Sequence, residues 1–145
     1  GLCLHVDHEG QAAIRLETAQ DMAAPGAYAC AVLETPGPDV LDTRHLFAQA
    51  VRDLSRGVTP GAVSRRCHLG LADGLAAMAL RQARARGTRT VALSGGCLLN
   101  RTLARELPRR LRDMGLIPLT HVHLPPGDGC ISLGQAAYGL YAGRP

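Results

Sequence analysis

The feature that most limits the possible folds is one long helical pattern in the middle of the chain. Thr59 followed by Pro60 predicts a helix start, because a hydroxyl can cap the first turn and proline is tolerated at the first helical position. The apolar residues that follow recur every three to four positions, the period of an α-helix, as far as about Arg86, and Gly87 predicts the end. They are Val63, Cys67, Leu71, Leu75, Met78 and Ala79. Such a helix would be roughly 40 Å long and is predicted to lie in the centre of the fold.

Small residues flank this apolar stripe and predict close packing on the helix. Gly70 and Gly74 lie inside the pattern, although glycine in a helix costs about 1 kcal/mol relative to alanine. A glycine is tolerated there where another backbone or a ligand must approach closely. We therefore expect a neighbouring segment or a ligand against this face.

The remaining segments predict an α/β fold. After the long helix we expect a strand at 90–93 without polar alternation, as in a parallel sheet, a helix at 100–114 and a strand at 116–124, followed by a helix at 131–142. Pro108 is expected to kink the helix at 100–114 or to shift its start. Before the long helix we expect a helix within 9–23, a strand at 27–34 and a helix at 44–56 that Asp42 or Thr43 could cap.

Composition excludes several classes of function. All sixteen basic residues are arginine, which excludes a P-loop lysine and Schiff-base chemistry. One Phe and three Tyr are too few for the stacking surfaces of many RNA-binding proteins, so no nucleic-acid partner is expected. Five cysteines without a C-x-x-C pair do not indicate a zinc knuckle and fit a reducing cytoplasm. No window approaches the about 18 apolar residues of a membrane span, and no signal peptide is visible, so no membrane partner is expected.

The first candidate loop follows the strand at 90–93. Ser94, Gly95 and Gly96 precede a helix, and paired glycines there let backbone N–H groups approach an anion. Asn100 could bind a ribose or an adenine edge. The same residues also fit a tight turn in which Asn100 caps the helix, and the chemistry alone favours neither interpretation.

The second candidate loop, residues 125–129, contains Asp128. Asp128 could be a metal ligand, but capping of the last helix is slightly favoured by the residues alone. His68, within the long helix, is interpreted as a structural histidine with its hydrogen bonds satisfied. His121 and His123 alternate on the predicted strand at 116–124 and would then point the same way, a spacing that can hold a metal.

Four segments together resemble one family, the HypF carbamoyltransferases. They are Glu9-Gly10-Gln11-Ala12-Ala13, Cys67-His68-Leu69-Gly70-Leu71-Ala72, Ser94-Gly95-Gly96-Cys97-Leu98-Leu99-Asn100-Arg101, and the segment from Pro125 through Asp128 to Gln135. Their order and spacing agree with the family along essentially the whole chain. Cys67, Cys97, Gly127 and Cys130 replace the residues that are usual in the family, and the His-x-x-x-His pair that binds its metal is missing from this chain.

The resemblance implies an actin-like (ASKHA) ATPase fold, related to the TsaD family, of which this chain would be the C-terminal lobe only, with a mixed sheet flanked by helices. Residues 1–145 would be the C-terminal portion of a single carbamoyltransferase domain whose upstream lobe is absent. On this basis the chain is expected to be inactive by itself.

The resemblance also implies a reaction and its residues. The domain would transfer a carbamoyl group from carbamoyl-adenylate, made from carbamoyl phosphate and ATP, to the C-terminal cysteine of HypE in hydrogenase maturation, in the cytoplasm. The partners would be HypE and the missing N-terminal HypF domains. Nucleotide-binding residues would be Glu9, Gly10, Ser94, Gly95, Gly96 and Asn100. Asp128 would be one ligand of a mononuclear divalent metal, Fe or Zn, whose other ligands come from upstream. The alternatives are an antibiotic-type O-carbamoyltransferase and a non-catalytic nucleotide-binding fragment.

Overall fold

The computed structural model describes residues 5–142. Five α-helices, α1 to α5, span Gln11–Thr18, Arg44–Ser55, Pro60–Ala85, Arg101–Asp113 and Ile131–Tyr141. Four short strands, β1 to β4, span Ala31–Leu33, Val40–Asp42, Thr90–Ala92 and Ile117–Leu119, and 3₁₀ turns span Gly96–Leu99 and Asp128–Cys130. The predicted α/β class is therefore confirmed. Among the described helices none is long and apolar enough to cross a membrane.

Helix α3 is the predicted long helix, with the predicted boundaries. Thr59 Oγ1 accepts a hydrogen bond from the N–H of Ala62 at 3.3 Å, and Pro60 is the first helical residue. After Ala85 the chain turns at Gly87, whose φ of 62° is a left-handed conformation that glycine adopts without strain. Ten of its residues are buried, so the expected central position is confirmed.

Gly70 and Gly74 of α3 are required by close packing, as the sequence predicted. A Cβ atom at Gly70 would lie 2.1 Å from the carbonyl oxygen of Tyr28. One at Gly74 would lie 2.8 Å from Leu41 Cδ1 and 3.0 Å from the Cβ of Cys30. The approaching segment is the chain that leads into β1 and its hairpin with β2.

The strands form two separate sheets. β1 and β2 pair antiparallel, with Val32 opposite Leu41, and β3 and β4 pair parallel, with Val91 opposite Pro118. The single mixed sheet expected from the resemblance is thus replaced, in residues 5–142, by two two-stranded sheets. They contact different parts of α3, the hairpin near Gly74 and the parallel pair near its C-terminal end, which keeps them apart.

Several predicted boundaries in these regions were wrong. The expected strand at 27–34 is β1 alone, and β2 was not predicted, because three residues beside a turn are too short for a periodic pattern. The expected strand at 116–124 ends at Leu119, and α1 covers only part of 9–23. Pro108 lies inside α4 without shifting its start from Arg101. At α2, Asp42 Oδ1 accepts from the N–H of Arg44 at 3.0 Å, as one of the two predicted caps would, whereas Thr43, at the cap position, forms no side-chain cap bond.

Two apolar clusters form the core. One joins α3, α4 and the parallel strands and contains Ala76, Ala83, Leu107, Leu111 and Leu116. The other lies between α2 and α3 and contains Tyr28, Leu46, Ala50 and Val63. The first cluster packs against Val91 and Leu93 at β3 and against Leu98, so it holds the loop that follows β3 on the core.

Candidate functional site

The two glycine-containing loops meet at the carboxyl ends of β3 and β4. The N–H of Gly95 donates to the carbonyl oxygen of Pro126 at 2.7 Å, and the Ser94 hydroxyl donates to the same oxygen at 3.3 Å. Gly127 is buried, and a Cβ there would lie 3.4 Å from the Cα of Gly96. Because β3 and β4 are parallel, their following loops share one edge of the sheet, where open α/β sheets bind ligands.

The paired glycines differ in what they do. Gly95 has φ 105° and ψ 158°, a region essentially restricted to glycine, and its N–H holds the second loop. Space does not distinguish them, since a Cβ at either glycine would meet no atom within 4 Å. Gly95 therefore fixes the contact between the loops, and the open space beside both glycines leaves room for a ligand next to the backbone.

Asn100 caps helix α4. Its Oδ1 accepts from the N–H of Leu103 at 3.0 Å, and its Nδ2 lies 2.9 Å from Nε2 of His68. The turn-and-cap arrangement that the sequence allowed is thus present. An asparagine amide has two donor hydrogens and two oxygen lone pairs, so one hydrogen and one lone pair are left for a ligand.

His68 has both ring nitrogens in hydrogen-bonding contact. It is 6% exposed, and its Nδ1 lies 2.8 Å from the carbonyl oxygen of Ser64. The prediction of a histidine with satisfied hydrogen bonds is confirmed. The structure adds that the bond partner of its second nitrogen is Asn100, a candidate site residue.

Helix α1 supplies a second cap to α4 that the sequence did not reveal. Glu17 Oε1 accepts from the N–H of Arg101 at 2.7 Å. Just after α1, Gln20 Nε2 donates to the side-chain Oγ1 of Thr102 at 2.8 Å. A carboxylate at a helix N-terminus is favourable because the helix dipole and free N–H groups attract negative charge. The two residues of each pair are more than 80 positions apart in sequence. The only sequence signal at Glu17 was its position shortly after the Glu-Gly-Gln-Ala-Ala segment.

Glu9 and Gly10 lie at the start of α1. Gly10 precedes the helix with φ 80°, and its carbonyl oxygen accepts from the N–H of Ile14 at 2.9 Å. Glu9 is exposed. Among the hydrogen bonds of residues 5–142 that the structure describes, none connects either residue to the two glycine loops. The structure therefore brings together Ser94, Gly95, Gly96 and Asn100 but not these two.

Asp128 is exposed at the first position of the second 3₁₀ turn. No side chain caps this turn or α5, so the interpretation of Asp128 as the cap of the last helix was wrong. An exposed carboxylate suits a divalent cation as one oxygen ligand. Within residues 5–142 no three His, Cys, Asp or Glu side chains are grouped closely enough to hold a metal, so the described residues do not form a complete metal site.

The predicted histidine pair does not form. His121 and His123 lie beyond the end of β4 and are exposed, so the expected orientation on a shared strand was wrong. His121 instead places Nε2 3.0 Å from the Ser94 hydroxyl. It joins the first glycine loop, a role that no local sequence pattern indicated.

The thiol next to His68 is unsuited to act as a nucleophile. Burial raises the pKa of Cys67 to about 11, which keeps the thiol protonated at neutral pH, and the reactive form of cysteine is the thiolate. Burial also raises the pKa of Cys30. Both cysteines pack beside the cluster of Tyr28 and Val63, as expected for small apolar residues.

Comparison with known proteins identifies one family. The sequence model described as the carbamoyltransferase, Kae1-like domain, second subdomain, matches residues 1–135. Carbamoyltransferase HypF of Rhizobium leguminosarum bv. viciae is 42% identical over 143 residues, which are 95% of this chain and 17% of that protein. Carbamoyltransferase HypF of Rhodobacter capsulatus is 35% identical over 143 residues, again with 17% of its length covered.

Solved structures give the same result. The crystal structure of full-length HypF in the phosphate- and nucleotide-bound form matches with a TM-score of 0.84 at 30% identity, over 93% of this chain and 18% of that one. The structure of T. kodakarensis HypF matches with a TM-score of 0.76 at 25% identity, over 96% of this chain and 18% of that one. The chain spans less than a fifth of the length of these relatives. It belongs to the HypF carbamoyltransferase family and corresponds to the second subdomain of its Kae1-like domain.

Proposed function

We propose that this chain is the nucleotide-binding part of a HypF-type carbamoyltransferase that transfers a carbamoyl group from carbamoyl-adenylate to the C-terminal cysteine of HypE. The observation that carries the proposal is the contact between the two glycine loops, in which the N–H of Gly95 donates to the carbonyl oxygen of Pro126 at 2.7 Å. This contact joins the open backbone at Gly96 to the loop that carries Asp128. Family membership supports it.

The residues at the carboxyl ends of β3 and β4 would have different roles in binding the nucleotide. Gly96 leaves space beside its backbone for the phosphate of an adenylate, and the free amide hydrogen and lone pair of Asn100 can bind a ribose hydroxyl or phosphate oxygen. Ser94 and Gly95 hold the loop in place, since both are bonded to Pro126. Glu9 and Gly10 remain proposed contacts of the adenosine or carbamoyl group.

Asp128 would be one ligand of a divalent metal, Fe or Zn, completed by residues outside this chain. Such a metal, when bound, acts as a Lewis acid that polarises a carbonyl oxygen. The exposed carboxylate of Asp128 is free of any capping role, which is the property such a ligand needs.

The reaction needs no nucleophile from this chain. The thiolate of the acceptor would attack the carbamoyl carbon, a C–S bond would form, and the C–O bond to the adenylate phosphate would break to release AMP. Backbone donors near the phosphate stabilise the charge that the leaving group gains. The remaining lobe of an actin-like fold and the N-terminal domains of a cytoplasmic HypF-type protein would supply carbamoyl-adenylate and the other metal ligands.

A chimera tests this function. Residues 1–145 replace the matching 143-residue segment of the Rhizobium relative, and the product is mixed with carbamoyl phosphate, ATP and HypE. Mass spectrometry should find a carbamoyl adduct on the C-terminal cysteine of HypE. The unjoined chain should give no adduct.

The Asp128→Asn variant should lose the adduct, because the amide is a weaker metal ligand than the carboxylate. Asp113→Asn is the matched control: Asp113 is also exposed, at the end of α4, and forms only a surface ion pair with Arg109. A chimera that binds ATP but modifies a sugar hydroxyl instead of HypE would favour the antibiotic-type O-carbamoyltransferase. ATP binding without any transfer, while the unaltered relative is active, would favour a non-catalytic nucleotide-binding domain.

A further inference from the structure

We propose that His68 is a positioning residue of the nucleotide site, which orients the side-chain amide of Asn100. This inference rests on the proposed function, in which Asn100 contacts the nucleotide. His68 lies in the middle of α3 and Asn100 at the start of α4, 32 residues later, and their side chains are joined at 2.9 Å. The contact is buried on the His68 side, where the imidazole is 6% exposed.

The direction of each hydrogen bond follows from one fixed group. The carbonyl oxygen of Ser64 can only accept, so Nδ1 of His68, 2.8 Å away, must carry the hydrogen. With its hydrogen on Nδ1, a neutral imidazole has a lone pair on Nε2, which accepts from the NH₂ group of Asn100. The amide oxygen of Asn100 is thereby turned towards the N–H of Leu103, 3.0 Å away, which requires an acceptor.

These hydrogen bonds fix the orientation of the Asn100 side-chain amide. A side-chain amide can flip by 180° and exchange its oxygen and nitrogen, which would place NH₂ against the N–H of Leu103. His68 disfavours the flipped state because the amide oxygen would then face the Nε2 lone pair. The remaining donor hydrogen and acceptor lone pair of Asn100 therefore have fixed positions towards the ligand. A preorganised group of this kind binds at a lower entropic cost.

Ser64, at the start of this series of hydrogen bonds, is itself held in place. The hydroxyl of Ser64, which is completely buried, donates to the carbonyl oxygen of Leu16 in α1. A continuous series of contacts thus links α1, α3 and the start of α4. None of these groups reacts, so His68 acts on the nucleotide only through Asn100.

Two substitutions of His68 test the roles of its two ring nitrogens one at a time. His68→Gln can place an oxygen near the position of Nε2 and keep the acceptor for Asn100. His68→Asn can place its amide near the position of Nδ1 and keep the bond to Ser64, but it is too short to reach Asn100. Both variants remain polar and remove part of a buried ring, so a merely structural role would affect both in the same way.

The test measures ATP affinity by calorimetry, in the 145-residue chain and in the chimera, with thermal unfolding recorded for each variant. We expect His68→Asn and Asn100→Ala each to weaken ATP binding about tenfold, the equivalent of about 1.4 kcal/mol, and His68→Gln to stay within about threefold of the original. The double variant His68→Asn/Asn100→Ala should bind no more weakly than Asn100→Ala alone, because the two residues act through one contact.

Equal losses for Gln and Asn, or additive losses in the double variant, would overturn the positioning role of His68. If Asn100→Ala leaves ATP affinity unchanged, the proposed nucleotide contact itself fails, and the inference with it. If Asn100→Ala weakens binding while His68→Asn does not, the nucleotide site stands and only the role of His68 is wrong.

Discussion

Helices α3 and α5 share many small and apolar residues but have opposite environments. Both are rich in Gly, Ala and Leu, yet ten residues of α3 are buried and none of α5 is. Helix α3 is covered by the hairpin, by α2 and by α4, whereas α5 packs chiefly on the 3₁₀ turn that precedes it. The difference shows that small and apolar residues permit burial but do not cause it. A partner element has to reach the helix, and of these two helices only α3 has such partners among the described residues.

The polar side of α3 has a partner too. Glu106 of α4 is 6% exposed and lies within 3.5 Å of Arg65 of α3. Three neighbouring arginines on α4 also contact its carboxylate: Arg105, Arg109 and Arg110. Nothing comparable exists on α5, which has no charged residue.

The largest effect is expected from Glu106→Gln, which leaves the buried guanidinium of Arg65 without a counter-charge. Removing one partner of a buried ion pair costs about 3–5 kcal/mol, and this loss should appear in the free energy of unfolding measured in urea. Asp113→Asn breaks an exposed ion pair with Arg109 and should cost at most about 1 kcal/mol. Similar losses in both variants would show that burial adds nothing to the contribution of the Arg65–Glu106 ion pair.

A substitution in the apolar core should lower the free energy of unfolding almost as much. Leu111 is 0% exposed and packs with Ala76, Leu107 and Leu116, so Leu111→Ala should cost about 2–5 kcal/mol through lost burial and a cavity. The matched change on α5 is Leu140→Ala, where the side chain is 68% exposed. It should change stability by no more than about 0.5 kcal/mol. A large loss at Leu140 in the isolated chain would mean that α5 is covered in solution.

The same substitution of glycine should have opposite signs on the two helices. Gly70→Ala places a methyl group 2.1 Å from the Tyr28 carbonyl oxygen, and such overpacking costs typically about 1–3 kcal/mol. At Gly139 an added Cβ meets no atom within 4 Å, so Gly139→Ala should stabilise by up to about 1 kcal/mol from helix propensity. Thermal unfolding of both variants gives the signs, and a stabilising Gly70→Ala would contradict the close contact with the hairpin.

The most gradual effect, and the smallest per pH unit, is expected from acid. Burial alone would raise the pKa of Glu106, but hydrogen bonds from Arg109, Arg110 and Arg105 outweigh it and lower the pKa to about 2. Its contribution is therefore complete above the unfolded-state value of about 4.3 and is lost as the pH falls towards 2. For one proton the slope is at most about 1.4 kcal/mol per pH unit. The difference in unfolding free energy between the original chain and Glu106→Gln should shrink over this range, and a constant difference would exclude the shift.

The sequence predicted those features that depend on neighbouring residues. The start of α3 at Thr59 and Pro60 and its end before Gly87 depend on residues a few positions apart. The cap at Asn100 is equally local, but the sequence left it open beside nucleotide binding. The strands were predicted less well, because each has only three residues and its pairing depends on a distant segment. The cap that the residues alone slightly favoured at Asp128 was also wrong, since an aspartate before a helix is a cap only if its side chain turns back, and here no side-chain cap forms. Its role as a metal ligand stays a prediction.

The sequence by itself determined the long helix, the α/β class and the family, since four segments in the same order identify HypF-type carbamoyltransferases without any coordinates. The tertiary structure alone decided which side chains meet: Glu17 with Arg101, His68 with Asn100, and Gly95 with Pro126. Helix capping and apolar periodicity depend on residues a few positions apart, so the local sequence contains them. A contact between residues 31 to 84 positions apart depends instead on how whole helices and strands pack, and no local pattern contains that information.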